Sequence, residues 1–236
     1  MYTHSKFDHE FENSPAPSAC IVLASTPRCG SSLLCEAFCL LGVAGAPTEF
    51  FDEQTEAGFC AAWNCEPGPD YLEALLAKKT TSNGVFSFKA HFHQYRRAFG
   101  LTELPALSNL KFIQLTRNDK VRQAVSYWRA IQTNQWAATH QSTDDAPQFD
   151  FEQIKKLVVR IEREESQWQE FFTRHAIEAV EMVYEEFSIE PFPAATECLS
   201  RFGILCPQPP WPELTLTQQS DGLNEEWVRR FHEQSS

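Results

Sequence analysis

The sequence predicts an α/β fold: a P-loop-like, mainly parallel sheet flanked by helices on both faces. Two observations carry this. Short apolar runs alternate along the chain with longer stretches of helical spacing, the pattern of strands joined by crossover helices. The first apolar run, Cys20 to Ala24, passes through a short Gly/Ser loop straight into a helix. Residues 1–18 are polar, carry Pro15 and Pro17, and are expected to form a flexible tail. Residues 19–236 are then expected to be one domain, a size that α/β folds commonly hold undivided.

Taken in order, Cys20-Ile21-Val22-Leu23-Ala24 reads as a buried parallel strand ending at Ser25. Thr26 to Gly30 is a loop. Ser31 to Leu41 has helical spacing through Leu33, Leu34, Phe38 and Leu41, and Gly42 and Gly45 end it. Residues 52–84 hold Gly58, Pro67, Gly68 and Pro69 and show one short helix, around Tyr71 to Lys78. Val85 to Lys89 is a second strand and Leu110 to Leu115 a third, ending at Arg117. A helix from about Asp119 to Trp136 precedes an amphipathic one, whose apolar stripe contains Phe151, Ile154, Val158, Ile161, Trp168 and Phe172. Ala179 to Tyr184 is the fourth strand. Helices near Pro193–Phe202 and Asn224–His232 close the chain.

Composition narrows the function. A formal net charge of −12 disfavours a nucleic-acid binder, so an anionic ligand would need a local positive patch on an acidic protein. Hydrophobic residues make up 42%, enough for a real core. The eight cysteines include no CxxC pair, and four fall in the first strand, loop and helix, which argues against both a disulfide scaffold and structural zinc. No apolar run reaches membrane-spanning length and no secretory leader is visible, so a reduced, cytoplasmic protein without membrane insertion is expected.

The loop Thr26-Pro27-Arg28-Cys29-Gly30-Ser31-Ser32 is the sharpest chemical feature. A helix N-terminus leaves N–H groups unpaired and carries partial positive charge, so a loop feeding it from a buried strand suits phosphate or sulfate. Gly30 would let the backbone approach the anion, Ser31 and Ser32 could cap the helix, and Arg28 would add a charge-assisted contact. The Gly-Lys-Ser/Thr ending of a nucleotide-triphosphate loop is missing. Cys29 lacks an arginine at the spacing a cysteine phosphatase needs, so it reads as packing or backbone rather than as a nucleophile.

The loop resembles the 5′-phosphosulfate-binding loop of sulfotransferases that use 3′-phosphoadenosine 5′-phosphosulfate (PAPS). The wider pattern Val22-Leu23-Ala24-Ser25 … Arg28-Cys29-Gly30-Ser31-Ser32-Leu33-Leu34 … Gly45 … Glu49-Phe50-Phe51 is similar to the bacterial trehalose 2-sulfotransferase family, with Cys29 and Ser32 as small departures. Arg117 and Ser126, about two and a half turns into the next helix, match the arginine and serine that sulfotransferases use for the 3′-phosphate. The run from Gln123 to Thr133, with Trp136, resembles the same family. Gln219-Ser220-Asp221 and Glu226-Trp227-Val228 resemble its C-terminal segment, although Gln218 stands where an arginine is frequent; Arg229 or Arg230 is the candidate substitute.

The resemblance implies PAPS as cosubstrate, a small hydroxyl acceptor such as a sugar, no metal, and a homodimer, for which Trp128 offers apolar surface. It makes Glu49 the general base, with burial beside Phe50 and Phe51 expected to raise its pKa. Lys89, at the end of the second strand, is expected as a second cation in the crevice. His91 and His93, read as an alternating pair at that strand's end, could contact the acceptor or serve as the base. The competing readings are a kinase-like phosphotransferase, which here lacks a Walker lysine, and a non-catalytic PAPS-fold or carbohydrate-binding protein.

Overall fold

In the computed structural model, which describes residues 9–12, 14–136, 146–216 and 222–235, four strands pair in parallel in the order β2-β1-β3-β4. They are β1 (Ala19–Ser25), β2 (Val85–His91), β3 (Leu110–Thr116) and β4 (Val180–Val183). The helices are α1 (Ser31–Leu41), α2 (Glu53–Trp63), α3 (Pro69–Lys79), α4 (Phe92–Phe99), α5 (Lys120–Thr133), α6 (Phe151–Arg174), α7 (Tyr184–Phe187), α8 (Pro191–Arg201) and α9 (Gly222–Ser235).

A parallel sheet buried on both faces needs apolar residues at successive positions, and β1 supplies them. Ile21 and Leu23 pack on one face against Leu34, Phe38 and Leu41 of α1 and Ala195 and Leu199 of α8. Cys20, Val22 and Ala24 turn to the other face, against Phe86, Phe88, Tyr71, Tyr95, Trp168 and Phe171. A third cluster joins α5, α6 and α9 through Ala124, Val125, Ile154, Ile161, Trp227 and Phe231. Trp128 packs against this cluster and donates its indole N–H to the Gln148 carbonyl at 2.9 Å. It is therefore half-buried, with part of its ring left at the surface.

The strand order puts β1 between β2 and β3, so the chain leaves β1 towards opposite sides. The switch point of an open α/β sheet lies there, and ligands bind at its carboxyl edge. The loops after β1 and β3 both rise at that edge.

β2 borders the sheet yet is buried along its whole length. Residues 44–49 run along its outer side: Ser87 Oγ donates to the Ala44 carbonyl, and Lys89 N–H donates to the Thr48 carbonyl at 3.0 Å. Gly45, at φ +80°, comes so close that a Cβ there would lie 2.7 Å from Ser87 Oγ. This packing delivers Glu49 beside Lys89.

Three helices were not anticipated. α2 buries only Glu56 and Cys60, so it has no apolar stripe to read; Asp52 starts it by accepting from the N–H groups of Gln54 and Thr55. α4 begins where β2 ends, and β2 extends through His91 rather than stopping at Lys89. α7 is a single turn after β4. Residues 9–12 and 14–18, expected as part of a flexible tail, meet α2, α3 and the residue after it: Trp63 Nε1 donates to Glu10 at 2.6 Å, Phe11 N–H to the Lys78 carbonyl at 2.9 Å, and Ser14 Oγ to the Thr80 carbonyl at 2.6 Å. No described helix is long and apolar enough to cross a membrane.

Candidate active site at the carboxyl edge of the sheet

The loop between β1 and α1 is held from three sides. Thr26 and Cys29 are fully buried, and burial pushes the Cys29 thiol pKa up, in keeping with a packing role. Gln123 of α5, also fully buried, donates its amide to Thr26 Oγ1 at 2.9 Å and to the Pro27 carbonyl at 2.7 Å. Arg28 adopts φ +66° and Gly30 φ +83°. Gly30 itself is the N-cap of α1, and no side chain caps the helix. Ser31 and Ser32 are thus not caps, as the sequence suggested. They occupy the first turn, because the left-handed Gly30 already ends the loop. Gly30 is also needed for a different reason than expected: a Cβ would lie 2.3 Å from Tyr184 Cδ2, so the ring packs where any side chain would sit.

Arg28 reaches across to α5, where its Nε donates to Ser126 Oγ at 2.9 Å and its guanidinium also meets the Trp136 carbonyl. Ser126 therefore faces the loop, as its helical position implied. Arg117, just after β3, is 8% exposed. It donates to the Arg28 carbonyl at 3.3 Å and stacks on the Tyr184 ring at 4.6 Å. Its buried Nε has no hydrogen-bond partner; Glu185 Oε1 stands 3.7 Å away. Glu185 meanwhile accepts from the Asn118 and Asp119 N–H groups at 3.0 and 3.3 Å, at the start of α5. Arg117, Asp119, Tyr184 and Glu185 line a cleft of about 390 Å³ together with Arg122, Ser188 and Glu225.

On the other side of the loop, Lys89 Nζ lies 2.8 Å from Glu49 Oε1 and 3.5 Å from Ser32 Oγ. Gln94 of α4 donates to Glu49 Oε2 at 2.7 Å while its own carbonyl oxygen accepts the His91 N–H at 2.8 Å. His91 Nε2 is 3.6 Å from the same carboxylate oxygen, and its Nδ1 faces Ser25. Burial pushes the Glu49 carboxyl up, but Lys89, His91 and Gln94 more than reverse this and hold it well below the usual carboxylate range. That corrects the expectation of a raised pKa: Phe50 and Phe51 point into the core, and the carboxylate itself meets the Lys89 ammonium, the His91 ring and the Gln94 amide. Burial likewise pushes Lys89 down, and Glu49 beside it reverses the sign and raises it. Nor are His91 and His93 an alternating strand pair. The strand turns into α4 between them, leaving the rings stacked 6.0 Å apart, and burial together with His91 lowers the His93 pKa.

The structure thus gathers Arg28, Cys29, Gly30, Ser31, Ser32, Glu49, Lys89, Arg117 and Ser126 at one edge. Gln218, Gln219, Ser220 and Asp221 lie outside the described residues. Arg229 and Arg230 are engaged along their own helix, with Glu233 at 2.6 Å and Glu226 at 3.5 Å. Sequence reasoning missed Gln94, Gln123, Tyr184 and Glu185. Of these, Gln123 opened the run that resembles the family, and Gln94 stands three residues past the observed end of β2, in capping position. Among the described residues, no three His, Cys, Asp or Glu side chains group to hold a metal ion.

Comparison with known proteins finds a family and relatives for the chain. The model of the Stf0 sulphotransferase family matches residues 19–106 and 104–234. The trehalose 2-sulfotransferase of Mycolicibacterium smegmatis is 29% identical over 261 aligned residues, covering 92% of this chain and 96% of the relative. That of Mycobacterium tuberculosis is 26% identical over 254, covering 89% and 93%.

Proposed function

The chain belongs to the Stf0 sulphotransferase family, and from that membership we propose that it transfers the sulfuryl group of PAPS to a hydroxyl of a small sugar, with Glu49 as general base. Trehalose is the first acceptor to try, because both relatives are named for it. The observation that carries the reading is the position of Lys89, whose ammonium lies between the Glu49 carboxylate and the Ser32 hydroxyl at the start of α1. A proton acceptor and an anion-binding helix N-terminus are thereby within one lysine's reach of each other.

The first turn of α1 and Arg28 hold the 5′-phosphosulfate through backbone N–H groups, the Ser31 and Ser32 hydroxyls and the guanidinium. The orphaned Nε of Arg117 fits a further anion, the 3′-phosphate, and family resemblance assigns Ser126, held by Arg28, to the same group. Gln219 and Ser220 are assigned to the nucleotide end on family resemblance. The sugar oxygen attacks sulfur in line as the bond from sulfur to the phosphate oxygen breaks. The hydroxyl proton passes to Glu49, and 3′-phosphoadenosine 5′-phosphate leaves. As in phosphoryl transfer, positioning and electrostatics do most of the work. Lys89 has two tasks. In the free protein it holds Glu49 ionised. With donor bound it turns towards the charge growing on the leaving oxygen, and releasing Glu49 makes that carboxylate a stronger base.

The protein is further expected to be a cytoplasmic homodimer, its eight cysteines being free thiols. Light scattering at micromolar concentration reads the dimer, and a monomer mass rejects it. The decisive test of function is calorimetric titration with 3′-phosphoadenosine 5′-phosphate against ATP, followed by sulfate transfer from PAPS to trehalose. Binding of the bisphosphate in preference to ATP, with turnover, supports the reading. Equal affinity for ATP, or no transfer to any sugar, overturns it.

A further inference from the structure

Glu164 occupies a position on α6 where the fold calls for an apolar side chain. Ile154, Leu157, Ile161, Trp168 and Phe171 are all buried at alternating spacings of three and four, and residue 164 continues that seam. Its side chain is only 10% exposed. One carboxylate oxygen accepts from Arg160 Nε at 3.2 Å, one turn earlier, whereas Oε2 is buried with no hydrogen-bond partner. A buried unpaired acceptor costs the fold its lost hydration, and more when charged; a leucine in the seam would cost nothing of the kind. Such a group is explained when something outside the protein completes its bonds.

Its surroundings indicate what that is. The Arg160 guanidinium lies 5.6 Å over the Tyr127 ring. Tyr127 meets Trp136 edge to face at 5.9 Å, and the Trp136 carbonyl is the group that Arg28 reaches from the anion loop. From the other side of that loop, Lys89 joins the Glu49 carboxylate to the Ser32 hydroxyl at the start of α1. The Glu164–Arg160 pair and Glu49 thus both connect to the anion loop, one through Tyr127, Trp136 and Arg28 and the other through Lys89 and Ser32.

We propose that Glu164 and Arg160 of α6, backed by the buried Tyr127 and flanked by the half-buried Trp136 ring, form the wall that recognises a polyhydroxylated acceptor. This rests on the sulfotransferase reading above and adds the residues that choose the acceptor. Adjacent sugar hydroxyls each donate and accept, so a carboxylate oxygen next to a guanidinium pairs with two of them at once. Glu164 Oε2 accepts a hydrogen bond from a hydroxyl that is not sulfated, Arg160 donates to its neighbour, and the Trp136 ring covers the sugar's C–H face. An alcohol with a single hydroxyl would leave Oε2 unpaired, which is how a polar site rejects an analogue.

The test uses the full chain at saturating PAPS, with trehalose varied. Glu164→Leu completes the apolar seam, so it should melt no lower than the wild type. It should nevertheless raise the KM for trehalose at least tenfold and leave the affinity for 3′-phosphoadenosine 5′-phosphate within twofold. Arg160→Met, at a half-exposed position, should raise the same KM and provides the reading if Glu164→Leu does not fold. If the wild type sulfates trehalose and both variants keep its KM within twofold, the wall is overturned while the sulfotransferase reading stands. If the wild type binds the bisphosphate but sulfates no sugar, the acceptor reading fails and the wall with it.

Discussion

Lys89 and Glu49 form a 2.8 Å ion pair in which the lysine side chain is 9% exposed and the glutamate 30%. The pair exists because Thr48 is hydrogen-bonded to the backbone of Lys89, so two residues far apart in sequence are fixed side by side. It also sets the protonation state of the site. A carboxyl held below its ordinary pKa stays ionised as pH falls, and its contribution to stability is present above the unfolded pKa and lost only as pH drops through the lowered folded value. The free protein should therefore show no acidic limb from Glu49 in kcat/KM above about pH 5, since the unperturbed glutamate value is near 4.3.

Glu49→Gln keeps the size and the bond to Gln94 but accepts no proton. Turnover should fall by ~10²–10⁴-fold with the bisphosphate affinity preserved. Lys89→Met removes the charge that depresses Glu49, so its pKa rises and an acidic limb should appear in the residual activity. A pH–rate profile of Lys89→Met that stays flat from pH 5 to 7 would contradict the assigned role of the lysine.

Arg28→Ala and Arg117→Ala each remove charge-assisted bonds to an anion, worth on the order of 1.5–3 kcal/mol. Affinity for 3′-phosphoadenosine 5′-phosphate should drop by roughly 10- to 150-fold in each. Arg117→Lys should recover little, because a point charge cannot reproduce both the stack on Tyr184 and the bond to the Arg28 carbonyl. Unchanged affinity in both alanine variants sinks the site assignment.

Gly30→Ala tests the loop as structure. A left-handed backbone costs a non-glycine residue about 1–2 kcal/mol, and the new methyl overlaps the Tyr184 ring. Destabilisation of at least about 2 kcal/mol in urea unfolding is expected from these two effects together. Tyr184→Ala should relieve the steric part, so the double variant should lose less than the sum of the singles.

The sequence disclosed what is local and hid what is assembled. β1, the loop and α1 were readable because a buried strand, a glycine turn and a helix follow one another without interruption. Arg117 and Ser126 were readable for the same reason, as a strand end followed by the helix it feeds. Glu49 was found by its neighbours Phe50 and Phe51, but the sign of its pKa shift came out reversed: the cation that decides it lies on β2, brought near by the packing of residues 44–49. α2 stayed hidden because it buries so little. Glu164 was invisible because a charge in an apolar stripe reads as a gap in the stripe.

Glu185 gives the last prediction. Its carboxylate accepts from two N–H groups at the start of α5 and stands 3.7 Å from the Arg117 Nε. An anion arriving at Arg117 meets a negative charge already in place, so the two compete for the same guanidinium and the same helix end. Removing that charge should help the ligand and cost the fold. Glu185→Gln should bind 3′-phosphoadenosine 5′-phosphate more tightly, by about 1 kcal/mol or ~5-fold, while losing up to about 1 kcal/mol of stability from the weakened cap. The gain should fade in high salt, where the repulsion it relieves is already screened. Titrations of wild type and variant at low and high ionic strength decide it: weaker binding by Glu185→Gln at low salt would mean that the carboxylate orients Arg117 rather than competing for it.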